Sequence, residues 1–456
     1  MTGYRTRMAR VGILVFGIVI VAWLLAHPCT AIEPTWTYKY TDAKEISDVE
    51  IAPDGSAIIA GAGKVMLFSR NGEVLERVPY GDILTQAPDG YFVTGYSSSI
   101  YMFEPTTDSE GKMSVKRLWT ADLPSKVFSC SMDEGHQYVV VRTVDGNVAV
   151  YNATGVLYGR STDFSDLVTM SPYFEYIAGI SLNHGMMVYS GPGSSKQYDV
   201  DPPLNQIPKS IVGLPGDTIV FNQGQYIVAI NTTVEDEDPN IETTWVKKSW
   251  ETKATDDVNV MAISGDYQHI VAGTSSGGLN LLTTDGKRVW SYESKTASGS
   301  GSQGVNAVAI TPDASRILAG TYDGKIFLVN GSGRALWTYS APNEHIWSVA
   351  ISPDGTLTAA AGENSMYVFS MADSWDTTAP VYEPEEPENM ELPEDTGTGY
   401  SSEPLTGTNR GITTVPLERP TSYSVIRTQK SPFDSLPLIG ALTAVFVIVR
   451  YRKTSR

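Results

Sequence analysis

Cysteine is almost missing: the 456 residues hold two, Cys29 and Cys130. Two cysteines build no disulfide framework, and neither has a cysteine neighbour, so a vicinal disulfide is excluded. Histidine is scarce as well. His136, His184, His269 and His345 fall in different parts of the chain, none in a metal-ligand spacing, and no zinc site is encoded. No lysine or arginine occurs between Arg334 and Arg410, and the formal net charge is −18. A chain of that sign repels phosphate backbones, which argues against a nucleic-acid partner. A long amphipathic helix is also lacking between the two apolar ends. What is abundant is glycine, 41 residues, with 41% hydrophobic content. Turn-rich and apolar, this composition points to a large all-β core.

The stretch 305–340, VNAVAITPDASRILAGTYDGKIFLVNGSGRALWTYS, shows how that core is made. It reads as four short strands at 305–310, 317–320, 325–329 and 335–339. A Pro312-Asp313 bend, an Asp323-Gly324 turn and the glycine-rich turn at 330–333 separate them. Closely similar stretches occupy 49–78, 258–293 and 346–370, and looser ones begin near 84, 127, 167 and 210. Their bends fall near 53, 88, 133, 172, 215, 265, 312 and 353. Such spacing predicts an all-β propeller of four-stranded blades, eight by this count, with seven the alternative.

The last repeat ends near Ser370 without a good fourth strand, whereas Thr35 to Tyr40, TWTYKY, precedes the first repeat and matches 335–339. Pairing that early strand with the last repeat closes the ring and removes two open edges. Ser374-Trp375-Asp376 is the competing outer strand.

Both ends are apolar and flanked by charge, and helices are expected in both. Arg5, Arg7 and Arg10 precede an apolar run at 11–26 and small residues at 29–31, the order of an export signal or an N-terminal anchor over 1–31. At the other end, an apolar stretch at 436–449 is followed by Arg450, Arg452, Lys453 and Arg456. The positive-inside rule puts this basic end in the cytoplasm and the propeller, 32–375, outside. Between them, 376–430 is rich in Pro, Glu, Ser and Thr. It buries too little to repay its ordering entropy and is expected to be a disordered stalk.

The I-T/S-P-D-A/G bends, the Asp-Gly turns and the Leu-Trp positions resemble those of WD-repeat and pyrroloquinoline-quinone-type propellers over roughly 35–370. The Gly-His and regular Trp-Asp dipeptides of WD repeats are missing, Trp375-Asp376 being the one Trp-Asp. The segment 431–456 resembles archaeal surface-protein sorting signals processed by archaeosortases, with Ser431-Pro432-Phe433 departing from their Pro-Gly-Phe. The whole layout is similar to surface propellers of methanogenic archaea. That resemblance implies a binding or scaffolding role.

Little chemistry is encoded. A quinone enzyme needs a calcium constellation that does not stand out, so no cofactor, metal or catalytic residue is assigned. Cys130 reads as a buried structural thiol, and Glu235 to Asp238 as a solvated charge run more simply than as a calcium loop. The Asp-Gly pairs at 54, 145, 285, 323 and 354 are explained by tight turns, and Trp119, Trp290 and Trp337 by packing between blades. Asn152, Asn231 and Asn330 begin N-glycosylation sequons after third strands. The expectation is a non-catalytic, membrane-tethered module at the cell membrane that binds a protein or envelope polymer through loops at one end of the ring. A hydrolase or lyase using central-funnel carboxylates, and a structural envelope component, are the alternatives.

Overall fold

The computed structural model describes residues 30–40, 48–79, 81–107, 109, 113–161, 167–181, 185–191, 194–201, 208–231, 245–293, 304–371 and 426–427. Every element among them is a β-strand, and no helix of the described residues is long and apolar enough to cross a membrane. The expected terminal helices at 11–26 and 436–449 lie outside these residues, as does the expected stalk apart from 426–427.

The repeat at 305–340 folds as the sequence implies. Its strands are Val305–Ile310, Arg316–Thr321, Lys325–Asn330 and Ala335–Ser340, paired antiparallel in order. The first strand is buried along its whole length, and so are all but the end residues of the second and third. Continuous apolar runs, not alternation, are what a sheet covered on both faces requires. The cover comes from neighbouring repeats.

Eight such meanders, here called blades 1 to 8, occupy 48–79, 83–122, 127–161, 167–201, 211–253, 258–292, 305–340 and 348–370. They form seven hydrogen-bonded sheets, because blades 4 and 5 share one. Their outer strands Ser194–Asp201 and Trp245–Lys253 run parallel, with Asp199 opposite Trp245. The result is a seven-sheet propeller of four-stranded units. The sheets number seven, the alternative count, and the eight repeats expected from sequence fold as eight meanders of which two share a sheet. Each seam between consecutive blades has its own apolar cluster, such as Ile317, Phe327 and Val329 with Val260, Val271 and Leu281 between blades 7 and 6.

Blade 8 takes its fourth strand from the other end of the chain. Trp36–Lys39 pairs antiparallel with Ser365–Ser370, setting Trp36 against Val368 and Tyr38 against Met366. Trp36, Tyr38 and Tyr40 pack against the cluster shared by blades 8 and 1, where Trp36 lies 5.7 Å from Phe68. The early strand is thus the clasp, and the competing 374–376 lies outside the described residues. Two short strands add to this scheme: Thr30–Ala31 runs parallel to the outer strand of blade 7, and Ile426–Arg427 lies along the inner strand of blade 6 at Ala262 and Ile263.

Candidate docking face of the ring

Strands alternate in direction, so the bends after first strands and the turns after third strands all open on one face of the ring. Most of the bends are closed by a backbone hydrogen bond of the same type, from Gly55 to Ala52, Gly90 to Ala87, His136 to Asp133, Phe174 to Ser171, Tyr267 to Ser264, Ala314 to Thr311 and Gly355 to Ser352. The donor residue sits in the left-handed region each time. Glycine takes this conformation freely at 55, 90 and 355. His136, Phe174, Tyr267 and Ala314 do not, yet their φ values are 46°, 57°, 59° and 55°. Such strain, of order 1–3 kcal/mol per residue, persists only where neighbours hold it.

The neighbours are the adjoining bends. His136 of blade 3 stacks on Tyr91 of blade 2 at 3.9 Å, and its Nδ1 stands 2.5 Å from Asp89 Oδ2. Phe174 of blade 4 stacks on Tyr138 of blade 3 at 3.6 Å. Tyr267 of blade 6 reaches Glu134 of blade 3 and donates its hydroxyl to Oε1, while Tyr173 of blade 4 packs edge-on against it at 6.2 Å. Further links run from Glu134 N to Pro172 O at 2.8 Å, from Asp266 N to Pro312 O at 3.0 Å, and from Gly216 N to Glu175 Oε2 at 2.7 Å. Arg316 donates to Gly355 O at 2.8 Å and Arg70 to Thr356 Oγ1 at 3.0 Å, both arginines reaching the bend of blade 8. The bends form a stitched, rigid rim.

One side of the rim is open. The bends of blades 1, 2, 7 and 8 surround a cavity of about 700 Å³. Pro53, Asp54, Pro88, Asp89, Pro312 and Asp313 stand at its mouth, and Ile59, Leu67, Phe92, Met113 and Val115 line it along the seam between blades 1 and 2. This volume and mixed lining suit a binding pocket.

Charge on the rim is uneven. Burial raises the Asp313 and Asp354 carboxyls, but hydrogen bonds from Ser315 and Thr311 to the first and from Ser352 and Thr356 to the second outweigh it, and both lie below the usual range. They stay ionised. Across the ring, burial pushes the Glu134 carboxyl up against the pull of the Tyr267 hydroxyl, and burial beside that carboxylate pushes Tyr267 up as well.

The family model described as WD domain, G-beta repeat matches residues 292–330 and 333–370, the region of blades 7 and 8. These two stretches match WD40 repeats. Among solved structures, Sqt1 of Chaetomium thermophilum bound to the N-terminus of the ribosomal protein L10 is 12% identical, with a TM-score of 0.58 over 75% of this chain and 100% of that one. Sqt1 of the same organism, in another structure, is 12% identical with a TM-score of 0.60 over 76% and 99% of the two chains. No curated relative matches the chain. At such identity the likeness to Sqt1 is one of fold.

Within the propeller, the residues singled out from sequence are mostly turn and seam residues. Asn152 Oδ1 accepts from Thr154 N at 3.0 Å, its hydroxyl at 2.8 Å and Val156 N at 3.0 Å. Asn330 Oδ1 does the same with Ser332 N at 3.2 Å, its hydroxyl at 2.8 Å and Arg334 N at 2.9 Å. Both sequons thus build the turn after a third strand, on the face where the bends open. Asn231 ends the strand Tyr226–Asn231, and the rest of its sequon lies outside the described residues.

The same turns receive tryptophans from the preceding blade. Trp119 Nε1 donates to Ala153 O at 2.9 Å, Trp290 Nε1 to Gly331 O at 2.8 Å, and Trp337 Nε1 meets Met371 Sδ at 3.1 Å. Trp36 and Trp250, not singled out from sequence, behave alike: Trp36 donates to Arg70 O at 2.9 Å and packs at Gly72, and Trp250 packs at Gly286. A fourth-strand tryptophan followed one repeat later by a turn glycine was the available signal. The outer strands of blades 1, 3 and 4, Val74–Pro79, Leu157–Ser161 and Ser194–Asp201, have no tryptophan.

The Asp-Gly carboxylates are turn acceptors: Asp323 and Asp354 each take a hydroxyl from two residues earlier at 2.5 Å. Cys130 lies buried on the inner strand of blade 3, where burial pushes its thiol up. His269 begins the second strand of blade 6 and burial lowers its pKa. His345 stacks on Tyr322 at 3.9 Å, far along the chain from His136. Among the described residues no group of His, Cys, Asp and Glu is arranged to hold a metal. His184 and the acidic run 235–238 lie outside the described residues. The four strained bends went unseen because no residue type marks them.

Proposed function

We propose that this chain is a non-catalytic protein-binding module whose partner, a protein or an envelope polymer, docks on the bend face. The observation that carries this is the stitched rim with its cavity of about 700 Å³ between blades 1, 2, 7 and 8. Tight cross-linking of bends gives a preorganised surface, which lowers the ordering cost of binding. The similarly folded Sqt1 has been captured with the N-terminus of another protein, support for a protein partner. We further propose that the propeller is exported and tethered at the cell membrane, on the strength of the basic-apolar order at 5–26 and the apolar-basic order at 436–456.

Capture from native envelopes with the full chain in detergent, followed by mass spectrometry, tests the binding reading. A reproducible partner lost on substituting the bend face and kept on substituting the opposite face is the expected result. A partner indifferent to the bend face overturns the choice of surface. Deleting 436–456 is expected to release the protein from membranes, and continued retention would move the anchor to 1–31.

A further inference from the structure

We propose that the cavity between blades 1 and 2 is a docking site for an extended protein segment that inserts one large apolar side chain beside a lysine or arginine. This rests on the binding-module reading above and names the chemistry of its partner.

The deep part of the cavity selects the apolar group. Ile59, Leu67 and Phe92 are 3%, 0% and 1% exposed, so they form a closed apolar floor, and the carbon still open to a ligand begins with the half-buried Pro105. Met113 and Val115 complete it from the outer strand of blade 2. At other seams a tryptophan from the preceding blade covers the next turn glycine: Trp290 covers Gly333, and Trp119 covers Gly155. At the register position of Trp290, opposite Leu67 as Trp290 is opposite Leu281, blade 1 carries Glu76, whose Oε2 accepts from Val115 N at 2.8 Å. This seam thus lacks the indole that Trp290 and Trp119 supply to theirs, and an incoming leucine, isoleucine or phenylalanine gains burial against Pro105, Met113 and Val115.

The mouth selects the charge. Asp54 and Asp313 face the same opening from blades 1 and 7. Both hold their own turns through Oδ1, where Asp54 accepts from Ser56 and Asp313 from Ser315 N and Thr311. Asp89 at the third corner already has His136 beside it. The arginines of the rim are drawn to blade 8 at Gly355 and Thr356. Two carboxylates around an apolar hole favour a cation next to the inserted side chain, and reject an acidic segment. The prolines at the mouth, Pro53, Pro88 and Pro312, lack N–H donors, so the rim invites side-chain recognition before strand addition.

The test is an array of immobilised decamers whose central residue is Leu, Phe, Ser or Glu and whose flanks are Lys/Arg, Ser or Glu, probed with the full chain in detergent. Retention is expected for apolar centres with basic flanks. It should fall about tenfold in the Asp54→Asn, Asp313→Asn double variant, since each desolvated charge pair contributes on that scale. Asparagine keeps Oδ1 for the turn, so the ring stays folded, and an unchanged melting temperature verifies this. Met113→Lys is expected to abolish retention separately. Retention that ignores the central residue or the flanking charge overturns the proposal, as does binding unaffected by the double variant. If an envelope partner is captured equally by wild type and by the double variant, the site is wrong and the binding-module reading survives. If neither captures anything, that reading falls too.

Discussion

Trp290 of blade 6 donates its indole N–H to Gly331 O of blade 7 at 2.8 Å, and its ring lies where a Cβ on Gly333 would stand, 2.9 Å from Cδ2. Gly333 also has a φ of 80°. One glycine therefore answers two demands, backbone handedness and the close approach of a neighbouring blade. Gly333→Ala is expected to destabilise the propeller by about 1–3 kcal/mol through both. Trp290→Phe should cost about 1 kcal/mol, the net worth of the lost hydrogen bond. In the double variant the losses should fall short of their sum, because the smaller ring relieves the clash. Chemical denaturation of the four proteins checks this, and strict additivity would show that the two residues do not interact.

The clasp carries the second prediction. Trp36 bonds to Arg70 O at 2.9 Å and packs on Phe68, both in blade 1, while its backbone belongs to blade 8. One side chain ties the last blade to the first. Trp36→Ala should lower stability by about 2–4 kcal/mol, the range for losing a large aromatic that is only partly buried. Because the strand closes the ring, the loss should appear as earlier unfolding of the whole propeller in a thermal melt. A variant melting with wild type would mean that the ring closes without it.

These two devices differ in how far the sequence reveals them. TWTYKY was recognisable as a displaced fourth strand because it repeats the residues of 335–339. The packing of Trp119, Trp290 and Trp337 between blades was readable too, since all occupy one position of the repeat. The sharing of one sheet by blades 4 and 5 was not, because a parallel pairing of outer strands leaves no periodic mark. The bend face was legible as a set of loops and no further. Ala314, Tyr267, Phe174 and His136 stand where glycine is expected, and only their neighbours explain them. The cavity is a matter of volume left between blades, which residue patterns do not record.

Asn152 and Asn330 separate two meanings of one motif. Each side-chain oxygen holds its turn together through three bonds. Asn→Asp at either position keeps that acceptor and destroys the sequon. If glycans are attached, the aspartate variants migrate faster on gels and lose mass on enzymatic deglycosylation no further, with stability little changed. Asn→Ala removes the acceptor and should cost about 1 kcal/mol whether or not a glycan is present. Equal mobility of wild type and aspartate variants would leave the turn as the motif's whole purpose.

The Tyr267–Glu134 link makes the rim sensitive to pH in an unusual direction. Most buried carboxylates that accept hydrogen bonds are held below their ordinary pKa, as Asp313 is. Glu134 is raised instead, burial outweighing the Tyr267 hydroxyl. A carboxyl that holds its proton more tightly when folded favours the folded state at low pH, and that advantage is lost as pH climbs from the unfolded pKa through the folded one. Neutral solution is therefore where Glu134 costs most. Glu134→Gln keeps an Oε1 to accept from Tyr267 and removes the buried charge, so it should match or exceed wild type in stability at pH 7 and lose that edge near pH 4. Tyr267→Phe should act oppositely, leaving the charge without its donor and lowering stability most at pH 7. Melting curves of the three proteins from pH 4 to pH 8 decide the matter: parallel profiles would mean that the Glu134 carboxyl is solvated like any surface acid.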